Sequence, residues 1–101
     1  MHVIEMLLPL YDRDGRRFGP EPYDEVRGEM LVHFGGVTAF TRTPAEGLWS
    51  AEGTAEKDEI VFFEVMVEEF DRGWWHAYRR KLEVRFQQEE IVVRAQAAER
   101  I

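Results

Sequence analysis

The sequence predicts an α+β domain whose elements run strand–helix–strand–strand–helix–strand. Two observations carry this reading. Two segments place large side chains at helical spacing, Tyr23, Val26, Met30, Leu31 and Phe34 in one, Trp75, Tyr78, Leu82 and Phe86 in the other. Four short, largely apolar runs flank and separate them, beginning at Val3, Val37, Ile60 and Ile91.

The first run, Val3 to Leu8, is stopped by Pro9 and reads as a strand. Tyr11 to Pro20 follows as a polar loop with an Asp-Gly turn signal. Asp12-Arg13-Asp14-Gly15 starts like a calcium loop but lacks the later ligands and the closing glutamate, so it reads as a plain turn. The first helix starts near Pro22, a residue suited to a first helical turn, and stops at Gly35-Gly36. His33 lies in its last turn, where positive charge is favoured. Val37 to Arg42 alternates and is β-branched, giving a second strand that Pro44 ends. Residues 43–58 show neither period; a loop this long in a small domain is often functional, and it carries Trp49. Ile60 to Val67 is nearly all apolar, as a central strand covered on both faces should be. Asp71 reads as the N-cap of the second helix, with Trp74 at the margin of the buried stripe. Ile91 to Gln96 makes the last strand, and the tail from Ala97 is expected to fray.

At 101 residues the chain is read as a single domain, 1–101. It has no cysteine, which removes disulfides, thiol nucleophiles and thiolate metal sites. Its start has no basic region and carries Glu5 within the apolar run, so no signal peptide is expected; no run approaches the roughly 18 apolar residues of a membrane span, and the cytoplasm is the simplest location. The net charge of −7 disfavours nucleic acid, whose binding depends on neutralising phosphates. Arg79, Arg80, Lys81 and Arg85 on the second helix are read as a solvated face.

Two β-α-β units in tandem are the signature of a ferredoxin-like βαββαβ sandwich: a four-stranded antiparallel sheet with two helices on one face. Right-handed crossovers place the first and third strands at its centre. Period-two alternation then divides the strand residues. The helix-facing set is Ile4, Met6, Leu8, Val37, Ala39, Val61, Phe63, Val65, Val67, Ile91, Val93 and Ala95, all apolar. The opposite set includes Val3, Leu7, Phe40, Ile60, Phe62, Met66 and Val92, more apolar surface than a monomer leaves wet. A second copy docked sheet to sheet is the expected cover, with the Trp49 loop folded across as the alternative.

The polar residues of that open face are the candidate site. Glu64 and Glu5, on the two central strands, are the candidate catalytic pair, since a covered carboxylate is suited to acid–base work. Arg94 and Arg42 would hold an anionic group, and Phe40, Phe62 and Trp49 would form an apolar wall. The bland reading is that a glutamate pairs with Arg94 or Arg42 and fixes register.

Phe34-Gly35-Gly36-Val37-Thr38, Glu46-Gly47-Leu48-Trp49 and Arg85-Phe86-Gln87-Gln88-Glu89-Glu90-Ile91 resemble stretches of short uncharacterised bacterial proteins associated with a ferredoxin-like fold. The strand order is more distantly similar to the dimeric α+β barrel proteins, which include small monooxygenases and isomerases. None of their catalytic motifs matches here residue by residue, so their chemistry is not carried over. Two function classes follow: a homodimer binding a small molecule near the open face, with proton abstraction or isomerisation as the reaction class if it is an enzyme, or a self-association or regulatory module with no pocket. RNA stacking on Phe40 and Phe62 is disfavoured by the acidic charge. No cofactor is implied, and His2, His33 and His76 lack metal-ligand spacing.

Overall fold

In the computed structural model, residues 1–42 and 60–101 are described, with the side chains of 38–42 outside that description. The elements are β1 (His2–Pro9), α1 (Glu21–Phe34), β2 (Thr38–Arg42), β3 (Ile60–Val67), α2 (Arg72–Arg85) and β4 (Val92–Ala97). They form an α+β fold with a four-stranded sheet in the order β2-β3-β1-β4 and every neighbouring pair antiparallel. The expected centre, β1 beside β3, is therefore present.

Local chemistry explains the boundaries. Pro22 occupies the first turn of α1, where a missing N–H costs nothing. Gly35 ends that helix at φ 80°, a conformation glycine adopts without a Cβ clash, and its N–H donates to the Leu31 carbonyl at 3.0 Å. Asp71 caps α2 by accepting from the Trp74 N–H at 3.1 Å. Asp12 closes the 12–15 turn by accepting from the backbone N–H groups of Asp14 and Arg16, both at 2.9 Å, which confirms a turn there. The Ile91 N–H donates to the Glu83 carboxylate at 3.1 Å and anchors the entry to β4.

Both helices pack on the same side of the sheet. Tyr23, Val26 and Met30 of α1 and Trp75, Tyr78 and Leu82 of α2 share one core with Ile4, Met6, Leu8, Val61, Phe63, Val65 and Val67. Phe63, Phe86, Ile4 and Met6 are among its largest fully buried side chains. At roughly 25 cal/mol per Å² of apolar area, each such residue contributes about 1.5–3 kcal/mol.

Several expectations shift. β1 starts one residue earlier and includes Pro9, which pairs in register with Ile60. β2 begins at Thr38, not Val37, and β4 runs one residue later than expected. Leu31 is exposed, because the inward side of α1 is formed by Tyr23, Val26 and Met30, with Phe34 partly buried against the core. Ala95 is exposed as well, since β4 is an edge strand that α2 covers only in part. Arg85 leaves the solvated face it was assigned to and turns towards α1, with only 11% of its side chain exposed.

Candidate functional site

The register of the sheet assembles the open face row by row. Across β4, β1, β3 and β2, Arg94 stands opposite Glu5, Glu5 opposite Glu64, and Glu64 opposite Thr38. The neighbouring row is Val92, Leu7, Phe62 and Phe40, and the row on the other side contains Gln96, Val3 and Met66. A polar band thus crosses the sheet between two largely apolar rows.

Within the band, two like charges face each other directly on the central strands, an arrangement that destabilises a sheet unless answered. Arg94 answers one of them, its Nε donating to Glu5 Oε1 at 2.6 Å. The same guanidinium lies 5.9 Å from the centroid of the Phe62 ring, within cation–π range. Glu5 is therefore committed to Arg94, as the register-fixing reading expects. Glu64 has no hydrogen-bond or ion-pair partner among the described residues. It is half-buried and lines a hollow of about 270 Å³ whose other walls include Phe34, Gly35, Gly36 and Met66.

The sequence-derived residues separate accordingly. Glu5, Glu64, Arg94 and Phe62 are brought together on one face. Phe62 is buried there, although it lies opposite the helices and outside their core cluster. Phe40 and Arg42 occupy β2 positions opposite Phe62 and Ile60, but their side chains lie outside the described residues, as does Trp49 altogether. Met66 and Val92 remain 55% and 47% exposed.

A second polar centre went unread in the sequence. Glu29 of α1 accepts from both terminal nitrogens of Arg85, at 2.8 and 2.9 Å, and from the Tyr78 hydroxyl at 2.7 Å. Lys81 stands 3.1 Å away. Hydrogen bonding from Arg85, partly opposed by burial and reinforced by Tyr78 and Lys81, pulls the Glu29 carboxyl down to about 2. Burial, followed by the hydrogen bond to Glu29, pushes the Tyr78 phenol well above its ordinary range. Burial also raises Tyr23 to about 12, and its hydroxyl donates to the Pro9 carbonyl. The available signal for the Glu29 centre was two complementary i,i+4 patterns, Glu25/Glu29 on one helix and Lys81/Arg85 on the other. With all its charges answered, this centre joins the helices and has no free group for chemistry.

Among the described residues, no group of three or more His, Asp or Glu side chains could hold a metal ion. No helix among them is long and apolar enough to cross a membrane. No family model, curated protein or solved structure matches the chain.

Proposed function

We propose that this chain is a ferredoxin-like cytoplasmic domain that forms a homodimer through its open sheet face and binds a small molecule beside Glu64. The observation that carries the reading is Glu64 itself: a half-buried carboxylate in a hollow, opposite a second carboxylate, with no partner among the described residues. Such a group costs free energy unless a donor meets it. A ligand bearing an N–H, an O–H or a positive charge meets that requirement, with the apolar neighbours holding its body. Glu5, already held by Arg94, positions the band and is not a second base. If the protein is an enzyme, Glu64 is the proton acceptor. The exposed Met66 and Val92 favour a second copy as the cover of the face.

The alternative, self-association without a ligand, rests on those same exposed side chains. Light scattering on the intact chain, combined with a thermal-shift screen of small amines, amides and alcohols, distinguishes the two. The proposal expects a mass near twice 11.9 kDa and at least one stabilising compound whose effect disappears in a folded, dimeric Glu64→Gln. A monomer at all concentrations removes the dimer. A dimer whose Glu64→Gln variant unfolds or dissociates makes Glu64 structural and leaves the self-association module.

A further inference from the structure

A groove of about 510 Å³ runs between the edge strand β4 and the N-terminal half of α2, within the size range of small-ligand sites. Its apolar floor includes Ile4, Trp75 and Val93, and Arg72, Arg79 and Arg94 stand around it with no carboxylate in the lining. In a chain of net charge −7 this is a local reversal of sign. Arg72 and Arg79 are seven residues apart, close to two helical turns, so they rise from the same side of α2 about 10 Å apart.

The arginines are incompletely answered. Arg94 commits its Nε to Glu5. Arg79 Nε lies 3.7 Å from Glu83, beyond hydrogen-bond reach, and is buried without a hydrogen-bond partner. That donor loses water without gaining a bond, so the protein itself satisfies the Arg79 guanidinium only loosely. Arg72 packs its guanidinium 5.0 Å from the Phe70 ring centroid and has no ion pair among the described residues. Stacking leaves its in-plane N–H donors available for a carboxylate.

We infer that this groove binds a small aromatic carboxylate, its anionic end held by Arg72 and Arg79 and its ring on the apolar floor. A bare inorganic anion would leave that floor unused, and a neutral aromatic would leave the guanidinium donors unmet. The site is separate from the hollow at Glu64 and does not depend on the function proposed for it.

The test is a two-dimensional ¹H–¹⁵N NMR titration of the full chain with 2-naphthoate, 2-naphthamide and inorganic phosphate. Naphthoate should shift amides of residues 72–79 and 93–95 and bind at least about tenfold more tightly than the amide or phosphate. Arg72→Gln and Arg79→Gln should each weaken it about tenfold with the remaining spectrum unchanged, whereas Glu64→Gln should bind as the parent does. Equal binding of acid and amide, phosphate matching naphthoate, shifts centred elsewhere, or arginine variants that bind like the parent would each overturn the assignment. Should one arginine variant fail to fold, the other together with the acid–amide comparison still decides it.

Discussion

Replacing Glu29 by Gln should destabilise the protein more than any other single surface-charge change. The carboxyl is lowered from 4.5 to about 2, which corresponds to roughly 3 kcal/mol in favour of the charged form. Its side chain is 27% exposed, and solvent screening reduces the usable part to ~1–2 kcal/mol. Glutamine also leaves the Arg85 guanidinium, 11% exposed, facing a neutral amide, with Glu25 at 3.7 Å the one remaining carboxylate partner among the described residues. That uncompensated charge adds about 1 kcal/mol, for a total loss of ~2–3 kcal/mol. Urea denaturation should show a lower midpoint at unchanged slope, and thermal melting a fall of roughly 10 °C or more. Because the folded-state value is depressed, the stabilisation is fully present above pH 4.5 and disappears as pH falls towards 2. The gap between parent and variant should therefore be constant at neutral pH and narrow below about pH 5. A loss under 0.5 kcal/mol, or a gap that does not change with acid, would refute the assignment of Glu29 as the charged joint between the helices.

Asp71→Ala should cost about 1 kcal/mol by denaturant melting, because the Trp74 N–H at the start of α2 loses its acceptor; an unchanged midpoint would show the cap to be idle. Arg94→Gln leaves Glu5 and Glu64 face to face without the cation that pairs Glu5 and should cost ~0.5–1 kcal/mol, since Arg94 is half exposed. Adding Glu64→Gln to that variant should recover part of the loss; strict additivity of the two changes would mean that the carboxylates do not interact across the strands.

The parts legible in the sequence were those governed by short-range periodicity. Alternation along Ile60–Val67 placed Phe63 in the core and Glu64 on the other face, and both positions follow from period two alone. The 3.6-residue stripe placed Trp75, Tyr78 and Leu82 correctly, yet it included Leu31, because a hydrophobic residue one step off the stripe has the same signature. Glu5 and Arg94 were assigned to one face by alternation, but their union required register, which brought residues 89 positions apart to 2.6 Å. Glu29 was missed for the related reason that its partners, Tyr78 and Arg85, lie 49 and 56 positions away. Arg72 and Arg79 gave no distinguishing signal, because a groove arises only once an edge strand and a helix meet at an angle that no local pattern encodes.

The strand order carries a consequence for how the chain reaches this state. Among the described residues, β1 pairs only with β3 and β4, and β2 only with β3. No ladder joins the two strands of the first β-α-β unit, nor the two of the second. A chain emerging from the ribosome therefore forms none of these ladders until residue 60 and beyond have been made, and β1 waits as an apolar segment for both of these partners. The two halves are interleaved like the fingers of clasped hands. Each described ladder joins one half to the other or closes over a long stretch of chain, a topology that slows folding.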